Sequence, residues 1–234
     1  MEIAIQGLLF LGIIPALILL YFGLKGYDEL YKEKTVFLTF VLGIVFGVIS
    51  AVVRWYSSPA VFLIIYIVLF AFFEQLIKTI VLNLKRLQAK KETVIYGLSL
   101  GLGFGSSFTL FLVILGYEKS SDLSFVSLLT VGSLGFILFN AATSAYIGYG
   151  IYVKKLMKYL LIAILLQIPF NLIFDGTRYY NSAYNTEYYN SMYHIATQAL
   201  LIAYGAIIFW YVITKIMPNI LKDEKRKRTK KTKA

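Results

Sequence analysis

The chain contains seven apolar stretches, each close to the roughly 20 residues that an α-helix needs to cross the hydrocarbon core of a bilayer. Hydrophobic residues make up 59% of its 234 residues, against about 45–50% in an average soluble domain. Because only a bilayer tolerates such a chain as solvent, we predict an all-α, polytopic transmembrane helix bundle of about seven spans. The predicted spans are 3–24, 36–55, 59–84, 93–116, 124–152, 156–175 and 194–216.

Basic residues predict the orientation of this bundle. With seven spans, the loops after the first, third and fifth spans lie on the same side as the C-terminal tail. Those loops contain Lys25, Lys32 and Lys34, then Lys85, Arg86, Lys90 and Lys91, then Lys154, Lys155 and Lys158. Cytoplasmic loops carry an excess of Lys and Arg, so we predict the N-terminus outside and the C-terminus inside. The first span lacks a preceding basic region, which does not fit a signal peptide.

We predict one transmembrane helix-bundle domain, 1–220, followed by a polybasic cytoplasmic tail, 221–234, that we expect to be disordered. Much of the net charge of +11 lies in this tail. Basic segments next to a span attract anionic lipid headgroups, which we predict as the contact in preference to nucleic acid. The bilayer surrounds the helix bundle. Other membrane proteins and further copies of the chain in a homo-oligomer are the alternative protein partners.

The amino-acid composition also limits the chemistry that the chain can perform and indicates the kind of organism it comes from. The chain has no cysteine and a single histidine, His194, which excludes thiol chemistry within the chain and a multi-histidine metal site. We therefore predict no metal and no other cofactor. His194 is expected near the outer end of the seventh span, where an interfacial histidine is the simpler interpretation. A composition rich in Lys, Ile and Tyr without Cys indicates a thermophilic microbe. The expected location is the plasma membrane of a prokaryote.

Small residues recur at helical spacing inside the predicted spans. Gly97, Gly101 and Gly105 lie four residues apart and share one helix face. Such patterns let helix backbones approach closely in lipid, where burial gives no hydrophobic drive. We predict helix-packing positions at these three glycines and at Gly43, Gly47 and Gly148.

Polar residues within the spans are the candidates for function. Glu74 lies about 16 Å from the cytoplasmic end of its span by helical rise, near the midplane, and Lys78 follows one turn later. An ionisable residue at this depth is costly and indicates a functional site, or else an i, i+4 pair in which Lys78 neutralises Glu74. We predict a polar cluster around these two residues, with structural hydrogen bonding and a functional cavity as equal alternatives. Its other predicted members are Gln75, Asn140, Ser144, Gln167, Asn171 and Asp175, with Asp175 either in the cluster or at the outer boundary.

The order of these motifs resembles the PrsW-type intramembrane proteases, which are related to the CAAX-processing membrane proteases. The family pattern E-E-x-x-K corresponds to EQLIK at 74–78, and G-x-G-F-x-x-x-E-N corresponds to GLGFGSSFT at 101–109. The pattern H-x-x-x-[TS]-x-x-x-G corresponds to NAATSAYIG at 140–148, and H-x-x-x-N to QIPFN at 167–171. The resemblance covers about 70–175 and implies a membrane-embedded hydrolase that uses carboxylates or a metal.

The chain departs from the family pattern at the positions that carry the chemistry. Gln75 and Phe108 replace acidic residues, and Asn140 and Gln167 replace histidines. Amides do not act as general bases and are poor zinc ligands. Of the positions that the resemblance makes catalytic, Glu74 and Lys78 remain, with Asn171 from the last motif.

Three functions follow as alternatives. The first is a pseudoprotease that binds or holds other membrane proteins as a scaffold. The second is an active intramembrane protease with an unusual site around Glu74. The third is a channel or transporter subunit in which Glu74 and Lys78 line the conduit.

Overall fold

The computed structural model describes 2–57, 63–88, 90–119, 130–184 and 191–221, with side chains over 12–57, 63–88, 90–108, 130–176 and 195–221. The described residues form helices and turns without a β-strand. The helices are α1 Glu2–Leu24, α2 Glu33–Tyr56, α3 Leu63–Leu82, α4 Thr93–Lys119, α5 Leu134–Tyr152, α6 Leu156–Tyr184 and α7 Ser191–Tyr211. A 3₁₀ turn, Asp28–Leu30, precedes α2, and a π-helical turn, Val212–Ile216, extends α7 toward residue 221.

Five helices are long and apolar enough to cross a membrane, which confirms the all-α membrane class. They are Glu33–Tyr56, Leu63–Leu82, Thr130–Tyr152, Leu156–Gly176 and Ile195–Leu221. The described parts of α1 and α4 add two shorter apolar helices, Gly12–Leu24 and Thr93–Phe108. Each predicted span overlaps one helix, although α6 runs beyond its predicted end at residue 175. The tail beyond residue 221 and the side chain of His194 lie outside the described residues.

Helix α4 lies between α2 and α5, and its glycines face both neighbours. A Cβ at Gly101 would contact the Asn140 carbonyl and come within 2.7 Å of Ala141 Cα, and one at Gly105 would come within 2.6 Å of Ile137 Cα. These contacts run in opposite directions along α4 and α5, so the two helices are antiparallel. Small residues let the α4 and α5 backbones touch without intervening side chains.

The α2 side of α4 is equally close. A Cβ at Gly43 would lie within 3 Å of the α4 backbone near Leu100, and one at Gly47 would do so near Phe104. The Ser99 hydroxyl donates to the Val36 carbonyl over 2.7 Å. Later residues of α2 contact later residues of α4, so these two helices run parallel. Gly97 and Gly148 make the corresponding approaches at the other end of the α4–α5 pair.

These directions place most basic residues at one end of the bundle. The starts of α2, α4 and α6 meet the ends of α1, α3 and α5 at this end. The Lys32 amide, at the start of α2, donates to Tyr96 Oη at the start of α4. Gly150, near the end of α5, packs on Tyr159 at the start of α6. The end of α7 joins them, because Gly23 lies beside Ile213. We call this the basic end; its cations are Lys25, Lys32, Lys34, Lys85, Arg86, Lys90, Lys91, Lys154, Lys155, Lys158 and Lys215.

Candidate functional site: a buried charged network

Arg54 is the centre of the polar interior, although it lies in the last turn of α2 and is only 2% exposed. Its Nη1 donates to Asp175 Oδ2 over 3.0 Å. Its Nη2 donates to Glu74 Oε1 and to Asn171 Oδ1, each over 3.1 Å. The planar guanidinium has donors on several sides, and Arg54 therefore joins α2 to α3 and α6.

Glu74 receives donors on both carboxylate oxygens. Oε1 accepts from Arg54 and from the Ser50 hydroxyl, the latter over 2.7 Å, and Oε2 accepts from Gln167 Nε2. The residue is 3% exposed. Hydrogen bonds that involve a charged group are stronger than neutral ones, and both Glu74 oxygens already accept from donors, one of which is the Arg54 guanidinium.

Two glutamine amides continue the network from Glu74, first Gln167 on α6 and then Gln75 on α3. A carboxylate accepts hydrogen bonds, so Gln167 must direct its NH₂ group at Glu74. Its carbonyl oxygen then faces Gln75, which donates to it through Nε2. This order leaves the Gln75 Oε1 atom buried without a hydrogen-bond donor among the described residues. The Glu74 carboxylate therefore determines which end of each glutamine amide donates and which end accepts.

Aromatic rings enclose the Arg54 guanidinium. Its Cζ lies 4.8 Å from the centre of the Phe70 ring, 5.5 Å from Phe108 and 5.7 Å from Phe174. A cation over ring faces gains electrostatic stabilisation that grows as water is excluded. Phe108 contacts the cation as an apolar ring.

Lys78 lies in a second polar site rather than in an ion pair with Glu74. Its Nζ donates to Asn140 Oδ1 over 2.5 Å, contacts Thr143 Oγ1 at 3.5 Å and lies 4.7 Å from the centre of the Phe104 ring. The salt bridges within the described ranges join Arg54 to Glu74 and to Asp175. The predicted Glu74–Lys78 pair is therefore wrong, because a guanidinium from a neighbouring helix takes the carboxylate.

The structure divides the predicted cluster into two groups. Glu74, Gln75, Gln167, Asn171 and Asp175 share the Arg54 network, and Lys78 joins Asn140. Ser144 is fully buried on α5, and its hydroxyl has no partner among the described residues.

Asp175 belongs to the polar cluster, one of the two placements that the sequence leaves open. Asp175 is fully buried, and its carboxylate pairs with Arg54. The local sequence of α6 places Asp175 on the same helix face as Gln167 and Asn171, but it does not show the partner, Arg54, which lies 121 residues earlier in the chain.

Sequence reasoning missed Arg54, Ser50 and Thr143. A signal for Arg54 exists in α2, where Gly43, Gly47, Ser50 and Arg54 fall on one face at helical spacing. An arginine that continues a stripe of small residues points into the bundle, not toward the boundary. Thr143 follows Asn140 by three residues, which is also a same-face spacing.

The described residues around Arg54 do not fit a catalytic metal. No three His, Cys, Asp or Glu residues lie together among the described side chains. The two carboxylates that approach each other, Glu74 and Asp175, are both bound by Arg54. A guanidinium already occupies the place between them that a metal cation would need, and the neighbouring amides are weak ligands.

Comparison of the chain with protein-family models, with curated proteins and with solved structures gave no match. The fold and the site therefore define the class directly. The chain is a helical membrane protein whose interior holds a salt-bridged network of Arg54, Glu74 and Asp175.

Proposed function

We propose that the protein is a non-catalytic, membrane-embedded binding or scaffold protein with PrsW-like architecture. The observation that carries this proposal is the engagement of Glu74, whose two oxygens accept hydrogen bonds from Arg54, Ser50 and Gln167. A general base needs a lone pair within reach of the proton that it removes. Glu74 would have to break a salt bridge inside the bundle before it could activate water.

The relation to the PrsW-type proteases is part of this proposal. Motif positions on four helices are buried in the bundle: Glu74 on α3, Phe108 on α4, Asn140 on α5 and Gln167 on α6. In this arrangement an arginine replaces the missing acid/base and metal chemistry with a closed set of hydrogen bonds. The bundle then keeps a polar interior that orders its helices without turnover.

The proposed topology has seven spans, with the N-terminus outside and the basic end facing the cytoplasm of a prokaryotic plasma membrane. The shared position of the basic loops at one end of the bundle supports this orientation. Arg54 and Asp175 then lie nearer the outer surface than Lys78, because α2 and α6 run outward from the basic end.

The first experiment tests for catalysis. Purified wild-type protein and the Glu74→Gln variant are incubated in detergent with a library of membrane-spanning peptides, and the bound metal of both proteins is measured. We expect no Glu74-dependent cleavage and no stoichiometric metal. A peptide cut by the wild type but not by Glu74→Gln would overturn the proposal and favour an active protease.

The second experiment distinguishes a scaffold from a conduit. The native chain lacks cysteine, so Ser144→Cys and Ser57→Cys give two single-cysteine proteins for labelling with a membrane-impermeant thiol reagent. We expect modification at residue 57, which lies just after α2, and protection at residue 144, which is fully buried. Labelling of both positions at similar rates would indicate a water-filled path and would favour a channel or transporter subunit.

A scaffold also needs partners that can be detected. A photo-crosslinking amino acid is placed in cells at Phe22, Leu69 or Ile207, which are exposed residues on α1, α3 and α7. We expect discrete protein adducts from at least one face and not from the others. Adducts to lipid alone from all three faces would contradict a scaffold function.

A further inference from the structure

Charge is distributed unevenly over the basic end of the bundle. Eleven Lys and Arg residues stand there against four acids in the described part of the chain, and those acids are Asp28, Glu29, Glu33 and Glu92. Asp28, Glu29 and Glu92 belong to the α1–α2 and α3–α4 connections, and Glu33 is the first residue of α2. The α5–α6 turn, together with the first turn of α6, holds Lys154, Lys155 and Lys158, and the segment from residue 130 to 174 contains no acid.

The α5–α6 turn has a defined backbone. Lys154 has a φ of 57°, a left-handed conformation that non-glycine residues rarely adopt. This conformation ends α5 as a helix cap, in which the Lys154 amide donates to Ile151 O over 3.2 Å and the Lys155 amide to Gly150 O over 2.8 Å. The capped turn fixes the backbone at Lys154 and Lys155, and Lys158 follows in the first turn of α6. The negative end of the α5 dipole favours cations at this position.

Each of these three lysines is exposed. Within the described ranges, the salt bridges involve Arg54 and not the turn. The ammonium groups are therefore available to an anion outside the bundle.

Tyrosines lie directly behind the turn. The Tyr159 ring is 4.7 Å from Tyr146 and 5.4 Å from Tyr149, centre to centre. A Cβ at Gly150 would come within 2.5 Å of Tyr159 Cβ, so the absence of a side chain at residue 150 lets α6 close onto α5. Half-buried tyrosines at the end of an apolar helix are typical of the depth where acyl chains meet headgroups.

We propose that the α5–α6 turn is a docking site for the headgroups of anionic phospholipids. Its lysines would contact the phosphate and its tyrosines would contact the boundary between headgroup and acyl chain. The turn is at the right depth because it connects two helices that are long and apolar enough to cross the bilayer. This site is separate from the buried network, and none of its lysines belongs to the C-terminal tail.

The test uses the full chain in detergent and measures bound lipid by native mass spectrometry with added phosphatidylglycerol or phosphatidylcholine. The test variant is K154N/K155Q/K158Q, since asparagine accepts the left-handed conformation. The matched control is K25Q/K32Q/K34Q, which removes the same charge from the same end. A second variant, K155Q/K158Q, leaves the left-handed residue unchanged.

We expect the test variant to lose phosphatidylglycerol affinity by about tenfold or more, because each lysine near an anionic lipid contributes about fivefold. The double variant should lose several-fold, the control less than twofold, and phosphatidylcholine should bind all proteins alike. Equal losses in the test and control variants would show diffuse attraction and overturn the site. Unchanged phosphatidylglycerol binding, or full competition by millimolar inorganic phosphate, would also overturn it.

Discussion

At the scale of single residues, one guanidinium contacts both carboxylates of the described interior. Arg54, Glu74 and Asp175 are each at most 3% exposed, so none of them has bulk water to stabilise its charge. Removing one partner of such a group leaves a buried charge without compensation, which costs more than the intact pair contributes.

Arg54→Met keeps the approximate length of the side chain but leaves two buried anions. We expect the free energy of unfolding to fall by about 3–5 kcal/mol, measured by denaturant titration in detergent. The triple variant Arg54→Met, Glu74→Gln, Asp175→Asn removes all three charges and should recover most of this loss. A single variant as stable as the wild type would show that the network is open to water.

Lys78→Met tests the second polar site. No carboxylate is left unpaired by this change, and the main cost is the loss of the hydrogen bond to Asn140 Oδ1. We expect a smaller loss of about 1–3 kcal/mol in the same titration. A loss as large as that of Arg54→Met would mean that Glu74 depends on Lys78, as the i, i+4 spacing predicts.

At the scale of helices, the contact of α4 with its two neighbours depends on residues that lack side-chain volume. Gly101 faces α5, while Gly43 brings α2 against the opposite side of α4. No cavity exists at these contacts to hold an added methyl group, so a larger side chain must push the two backbones apart.

Gly101→Ala should therefore lower the free energy of unfolding by about 1–3 kcal/mol. Gly176→Ala is the matched control, since a Cβ there meets nothing within 4 Å and the helix gains about 0.5–1 kcal/mol of propensity. Thermal unfolding of both variants beside the wild type measures the difference. If Gly101→Ala is as stable as Gly176→Ala, α4 and α5 are not in contact as described.

The sequence predicts the helices better than it predicts which charged side chains pair between them. Apolar length is a local property, so all seven stretches coincide with helices. The partner of Glu74 is a non-local property, and helical spacing alone favours Lys78 over Arg54. Helical spacing puts Asp175 on the cluster face of α6, but its partner is equally invisible, because Arg54 comes from α2.

At the scale of the whole molecule, the basic end predicts which surfaces face each compartment. Ser57→Cys and Lys154→Cys lie at opposite ends of the bundle. We expect an impermeant thiol reagent to label residue 57 from outside intact cells and residue 154 only after the cells are opened. Labelling of residue 154 in intact cells would reverse the proposed orientation.

The order of the charged partners along the chain has a consequence for biogenesis. Arg54 and Glu74 are 20 residues apart, so α2 and α3 can enter the membrane as a hairpin whose charges already neutralise each other. Asp175 follows Arg54 by 121 residues, a delay on the order of 10 s at ordinary rates of synthesis. During that interval the hairpin lacks its third partner, and a nascent chain halted before α6 should be the form that quality-control proteases recognise.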